Sequence, residues 1–308
     1  MSRPIPMLQE PRPHLPSWFK VRLQQGPAYR EIRRLTQELG LHTICEEARC
    51  PNVWECWNNR TATFLILGDI CTRRCHYCAV TTGRPLPVDE GEPSRVAQAV
   101  RVLGLRHAVI TSVNRDELPD GGAGLFAKTI KAIRYELPAC TIEVLIPDFM
   151  GDRTALETVL AAGPDILNHN IETVPSLFPS VRPQGKYPRS LELLRNASHR
   201  GAVTKSGLMV GLGETLDEVR AVMWDLRAAG CSILSVGQYL QPTKFHWPVM
   251  RFYQPEEFSL LRDEGLASGF RHVESGPLVR SSYHAEQQTS APSDSRRPDE
   301  LLSRLNAS

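Results

Sequence analysis

The sequence predicts an α/β protein built on a parallel sheet, and three observations carry that reading. Short apolar, β-rich runs alternate with amphipathic helical stretches six times from Phe64 onward. Polar or glycine-rich residues gather at the ends of these runs, where a parallel sheet places its chemistry. The chain has 308 residues, 41% hydrophobic and 23% charged. It is therefore long enough for one large core or two smaller ones.

Residues 27–40 read as a first helix, with Ile32, Leu35 and Leu39 at helical spacing and Gly40 as its stop. The strand candidates are residues 64–68 (FLILG), 107–113 (HAVITSV), 141–147 (TIEVLIP), 166–172 (ILNHNIE), 203–211 (VTKSGLMVG) and 231–240 (CSILSVGQYL). Helical patterns follow at 94–105, 124–137, 152–162, 189–200, 214–229 and 256–268. A helix returns the chain between parallel strands, so six βα units predict a parallel sheet closed either as an open doubly wound sheet or as a curved partial barrel. The polar strand ends are Gly68-Asp69, Thr111-Ser112, Asp148, Asn168-His169-Asn170, Gly211-Leu212-Gly213-Glu214 and Gln238. Residues 286–308 are polar except for three leucines and read as a mobile tail with one short helix.

The charge balance, 36 basic against 34 acidic side chains, argues against a generic nucleic-acid binder. The first twenty residues hold five prolines and no apolar core, which fits neither a signal peptide nor a membrane anchor. No run approaches the roughly 18 apolar residues of a spanning helix. The expected location is cytoplasmic, where crowded cysteines are metal ligands or redox groups more often than disulfides.

Six of the eight cysteines fall between positions 45 and 78. Cys71, Cys75 and Cys78 form C-x-x-x-C-x-x-C directly after the first strand candidate. Structural zinc and ferredoxin clusters take four protein ligands; three leave one metal position open for a small molecule. The competing reading is a buried helical stripe, which the intervening Arg73, Arg74 and His76 make awkward. Upstream, Cys45, Cys50 and Cys56 form a second triplet spaced C-x4-C-x5-C, with His42 as a possible fourth zinc ligand. Cys140 and Cys231 precede or begin strands and read as buried apolar fillers; Trp54, Trp57 and Trp224 read as packing residues.

The downstream triplet resembles the signature of the radical S-adenosylmethionine superfamily, and CEEARCPN…ECW followed by TATFLILGDICTRRCHYCAV resembles the lipoyl synthase family within it. Near the other end, GPLVRSSYHA (276–285) is similar to that family's C-terminal motif. The resemblance covers roughly residues 40–286. It implies a partial (β/α)6 barrel at 61–270, an N-terminal extension at 1–60 carrying the auxiliary-cluster cysteines, and a C-terminal segment at 271–308 with a serine ligand.

It further implies two 4Fe-4S clusters and S-adenosyl-L-methionine as cofactors. Cys71, Cys75 and Cys78 would hold the cluster that generates a radical. Cys45, Cys50 and Cys56 with Ser282, Ser281 being the competitor, would hold the cluster that donates sulfur; a hard hydroxyl suits a soft cluster meant to be dismantled. The implied activity is a sulfurtransferase reaction at carbons 6 and 8 of a protein-bound octanoyl-lysine, with another two-cluster sulfur-inserting enzyme, such as a methylthiolase, as the alternative. Implied partners are octanoylated lipoyl carrier domains (2-oxoacid dehydrogenase E2 subunits or glycine cleavage H protein), an electron donor and iron–sulfur assembly proteins, with no nucleic acid and no membrane.

Expected cofactor contacts are Thr111, Ser112, Asn114 and Arg115 toward the methionine amino group, and Asn168, Asn170 and Glu172 toward ribose or carboxylate. Lys205, Gly211, Gly213 and Glu214, in TKSGLMVGLGE, are expected near adenine. His169 reads as a core histidine, and Arg182 in the Val-Arg-Pro run matches a family motif.

Overall fold

A computed structural model of the chain describes residues 14–19, 25–283 and 285. Residues 1–13 and the tail read above as mobile with a short helix lie outside the described residues. In chain order the elements are α1 (Pro27–Glu38), β1 (His42–Thr43), α2 (Ile44–Glu47), α3 (Val53–Asn58), β2 (Thr63–Ile66), β3 (Ile70–Cys71), β4 (Thr81–Thr82) and α4 (Glu92–Leu103). There follow β5 (His107–Ser112), α5 (Ala123–Glu136), β6 (Thr141–Leu145), α6 (Arg153–Ala161), β7 (Ile166–Asn168), α7 (Phe178–Val181) and α8 (Tyr187–His199). The last are β8 (Thr204–Val210), α9 (Leu216–Ala228), β9 (Ile233–Gln238), α10 (Pro255–Ala267) and β10 (His272–Gly276).

Local sequence explains where the helices begin and end. Gly104, left-handed at φ 59°, stops α4. Thr215 and Glu218 close a reciprocal capping box on α9, and Pro255 opens α10. The six predicted strands and the helices after them fall within a few residues of their expected positions.

One sheet runs β1-β2-β5-β6-β7-β8-β9-β10. Only the β1–β2 pairing is antiparallel; the other pairings are parallel. Parallel strands sit beside their sequence neighbours all the way across. A doubly wound sheet needs a reversal of strand order, so the structure is the curved partial barrel. It has seven parallel strands, not six: β10 follows the sixth βα unit and pairs with β9 from His272–Ile233 to Gly276–Gly237. Its sequence, HVESG, has one fully buried residue and no apolar run, which is why periodicity missed it.

Helices α4 to α6 pack on β2, β5 and β6 around Phe64, Ile110, Phe126 and Val144, while α9 and α10 pack on β8 and β9 around Met223, Leu234 and Phe258. The N-terminal extension lies on this frame through Tyr29, stacked 4.8 Å from Trp54 and 5.1 Å from the fully buried Trp57. Trp224, read as a packing residue, is instead 66% exposed, because the buried stripe of α9 runs through Val219, Val222, Met223 and Leu226. Cys140 and Cys231 are buried fillers, and burial pushes their thiols up to about 11 and about 12.

The barrel interior contains a buried charge pair. Lys205 Nζ donates to both oxygens of Glu143 at 3.0 and 3.1 Å, and Asn168 Nδ2 donates to Oε1 at 2.9 Å. Burial pushes the Glu143 carboxyl up, but Lys205 and His107 outweigh it and hold the group at about 2. The folded value lies below the ordinary 4.5. The contribution of the pair to stability is therefore complete above pH 4.5 and is lost as pH falls through 2. Lys205→Met should lower the unfolding free energy by about 3–5 kcal/mol by leaving the carboxylate unpaired, and Lys205→Met/Glu143→Leu should recover most of it. Urea midpoints check this; a single variant as stable as wild type would contradict the pairing.

Candidate active site

A cavity of about 500 Å³ opens at the carboxyl ends of the strands. Its wall includes Cys45 and Cys50 of the upstream triplet, the whole downstream triplet, and Ser281 and Ser282. Cys56, on α3, is not part of this wall and lies near Tyr283.

The downstream triplet lies on an extended loop, which removes the helical-stripe alternative. Cys71 ends β3, whose pairing with β4 is extended by Gly83 N donating to the Cys71 carbonyl at 3.1 Å. Its sulfur accepts from the backbone nitrogens of Arg73 and Asn114, both at 3.4 Å. His76 is held from two sides: its Nδ1 donates to Ser180 O at 2.6 Å, and its carbonyl accepts from Trp247 N at 2.8 Å. His246 Nε2 donates to the Cys78 carbonyl at 2.9 Å.

Arg73, an argument against burial at the sequence level, is itself buried, because its guanidinium meets Asp116 at 2.6 and 2.7 Å and Asp148 at 2.6 Å. Burial pushes the Asp148 carboxyl up, and Arg73 more than reverses this, holding it far below the usual carboxylate range.

The upstream triplet is brought to the C-terminal motif by three contacts. Asn52 Nδ2 donates to Leu278 O at 2.6 Å, Tyr283 Oη donates to the Glu55 carboxylate at 3.0–3.1 Å, and Arg280 lies close enough to Cys50 to oppose in part the burial that pushes its thiol up. From the barrel side, Asn170 Nδ2 donates to Ser281 Oγ at 3.3 Å. A Cβ on Gly237 would stand 2.0 Å from Val279 O, so only glycine lets the segment lie this close to β9. His42 faces Glu47 at 3.4 Å.

The expected cofactor contacts divide into two sets. Thr111, Ser112, Asn114, Asn170 and Glu172 line the cavity with His169 and Arg182. Ser112 Oγ, Asn114 Oδ1 and Asn170 Oδ1 are buried with no protein partner. Arg115 instead braces loops, donating to Leu67 O and Leu86 O at 2.8 Å and to Glu117 at 2.6 Å. Lys205 and Asn168 belong to the buried pair of the barrel interior. Gly211 and Leu212 donate their backbone N–H groups to Glu214 at 2.6 and 2.9 Å, and a Cβ on Gly211 would meet Gln238 at 2.0 Å, so with Gly213 they form a self-satisfied loop off the cavity wall.

His169 is a core histidine: Nδ1 donates to Ile146 O at 2.8 Å, and Nε2 accepts from Ser190 Oγ at 2.9 Å. Burial and then Arg182 push it down to about 4, so it stays neutral. Sequence reasoning assigned no role to Tyr77, Arg280 or His246. Tyr77 and Arg280 stand inside the motifs quoted above, whereas nothing in the sequence marks His246.

The donor set fits iron–sulfur clusters. Three soft sulfurs of the downstream triplet and two of the upstream one line the cavity, and burial pushes Cys45, Cys75 and Cys78 up to about 12, 11 and 12. Such thiols carry their protons at neutral pH, and a metal cluster displaces them on binding. Gly237→Ala should drive residues 276–283 off the sheet. Faster amide hydrogen exchange confined to that segment and α2–α3 would be the expected result, and unchanged exchange would contradict the contact.

The family model of the radical SAM superfamily matches residues 65–226, and that of the N-terminal domain of lipoyl synthase matches residues 5–50. The chain is 62% identical over 288 residues to the lipoyl synthase of Rubrobacter xylanophilus, covering 92% of this chain and 90% of that protein. It is 57% identical over 282 residues to that of Chloroflexus aurantiacus, covering 91% and 92%. Methylornithine synthase superposes with a TM-score of 0.53 at 14% identity, covering 90% and 91% of the two chains, and Streptococcus suis SuiB with its precursor peptide superposes with 0.55 at 11%, covering 80% and 52%. These two likenesses concern the fold alone. The relatives do not favour the methylthiolase alternative. With this identity along most of its length, and with two cysteine triplets at the mouth of a partial barrel, the chain belongs to the lipoyl synthase family of the radical S-adenosylmethionine superfamily.

Proposed function

We propose that Cys71, Cys75 and Cys78 hold a 4Fe-4S cluster that binds S-adenosylmethionine, and that Cys45, Cys50, Cys56 and Ser282 hold an auxiliary 4Fe-4S cluster. Held there and reduced by an external electron donor, the first would supply the electron for reductive cleavage of S-adenosylmethionine to methionine and a 5′-deoxyadenosyl radical, and the second would supply the sulfur for carbons 6 and 8 of a protein-bound octanoyl-lysine. Those carbons have strong C–H bonds and no neighbouring carbonyl, so no acid, base or nucleophile among the side chains could activate them. The protein contributes binding, orientation and exclusion of competing reactions.

The observation that carries this reading is that Cys71, Cys75 and Cys78, two members of the upstream triplet (Cys45 and Cys50) and the Ser281-Ser282 pair open on one cavity. A volume of about 500 Å³ is in the range of small-molecule sites. Ser112 Oγ, Asn114 Oδ1 and Asn170 Oδ1 offer unpartnered polar atoms to a ligand, and Glu172 and Arg182 offer opposite charges for the two ends of its amino-acid half. Because Ser281 already accepts from Asn170, Ser282 is the better cluster ligand. The octanoyl-lysine is carried by a 2-oxoacid dehydrogenase E2 domain or the glycine cleavage H protein. No helix among the described residues is long and apolar enough to cross a membrane.

Anaerobic reconstitution should give about eight irons per chain, four for each of two cubanes. With an octanoylated lipoyl domain, a reductant and S-adenosylmethionine, the product should gain the mass of two sulfurs. Cys75→Ala should abolish 5′-deoxyadenosine, whereas Cys50→Ala should retain part of it with no sulfur inserted. Equal loss of both in the two variants would overturn the division of roles. Ser282→Ala should behave like Cys50→Ala, and Ser281→Ala should keep most sulfur insertion; the reverse order would assign the ligand to Ser281.

A further inference from the structure

The outer rim of the Cys71–Cys78 loop is basic and apolar at once. Arg74, within the loop, donates its backbone N–H to Gln184 at 3.2 Å, two residues before Lys186. Gly83 donates to the Cys71 carbonyl and Thr82 to that of Arg73, which places Arg84 and Leu86 on the same rim. His246 grips the Cys78 carbonyl and so fixes Lys244 and Phe245 beside it. Arg74, Arg84, Lys186 and Lys244 are all exposed. Leu86 and Phe245 are 72% and 75% exposed. Four neighbouring carboxylates are already engaged: Asp116 by Arg73, Glu117 by Arg115, Asp89 by Arg95 and Glu90 by Lys128. Four cations without such partners and two large apolar side chains are thus held beside the loop whose cysteines line the cavity, with Lys244 Nζ 5.1 Å from the centre of the Phe245 ring.

We infer that this rim is the docking surface for the carrier protein, and that the carrier meets it with an acidic face around an apolar contact. The inference rests on the proposed function, which requires a substrate delivered on a protein lysine. Charge complementarity selects the occupant: unpaired cations steer an acidic partner, while Leu86 and Phe245 supply the contact that desolvates. Rim charges act mainly on association and are screened over about 10 Å at 0.1 M salt.

The test uses the full-length reconstituted enzyme, octanoylated H protein and a short octanoyl-lysine peptide. Arg84→Glu/Lys244→Glu should weaken H-protein binding about tenfold at low salt, and the gap should narrow as salt rises. Turnover of the peptide and 5′-deoxyadenosine formation should not change. Unchanged carrier affinity, equal loss on carrier and peptide, or tighter binding of tRNA or anionic vesicles than of H protein would overturn the docking surface. If the wild type inserts no sulfur into either substrate, the proposed function itself fails, an outcome distinct from these.

Discussion

Everything at the site depends on one constraint, the sequential parallel order of the sheet. A parallel sheet with no strand reversal sends every strand end to the same rim. Residues at or just beyond the ends of β5, β6, β7 and β9 therefore come to one rim although they are far apart in sequence. Asn114, after β5, reaches the Cys71 sulfur. Asp148, after β6, pairs with Arg73 inside the cysteine loop. Asn170, after β7, reaches Ser281, and Gly237 on β9 lets Val279 lie against the sheet. The cysteine loop has no regular structure of its own, and these rim contacts fix its path.

The same rim explains how two cysteine triplets come together. Each triplet lacks a fourth sulfur nearby in sequence, and Cys45, Cys50 and the whole downstream triplet line one cavity. Asn52–Leu278 and Tyr283–Glu55 bind the N-terminal extension to the C-terminal segment, so the auxiliary half is assembled from the two ends of the described chain. Burial keeps the thiols protonated at neutral pH. The fold can therefore close the cavity without burying adjacent thiolates, and the cost of deprotonation falls on cluster binding.

Much of this was legible in the sequence, and the failures have physical causes. Six strands and their helices stood out because apolar periodicity reports burial directly. β10 did not, because it lies at the sheet edge with a single buried residue. The cysteine spacing pointed to the segments that meet at the cavity, and Ser281-Ser282, which also lines it, could be singled out only through family resemblance. The cofactor contacts divided by depth along the strand. Thr111, Ser112, Asn114, Asn170 and Glu172 stand at or beyond strand ends and face the cavity. Lys205 lies near the start of β8, level with Ile233, and turns into the barrel interior. Gly211 and Gly213 do follow a strand end, but they serve close packing against Gln238 and Met250. A glycine pattern alone does not distinguish approach to a ligand from approach to the protein's own side chains.

Charge shows the limit of composition most directly. With 36 basic and 34 acidic side chains, the chain looks featureless to a count. In space the balance is uneven: Lys205–Glu143 and Arg73–Asp148 neutralise each other in the interior, where an unpaired ion would be intolerable. Rim carboxylates such as Asp116 and Glu117 are turned toward structural arginines. Each such pairing removes an anion from the local surface and leaves the exposed cations beside the cysteine loop uncompensated. The local field at the cavity mouth is thus a by-product of how the loop is held, because the carboxylates that fix the loop are no longer available to neutralise its rim.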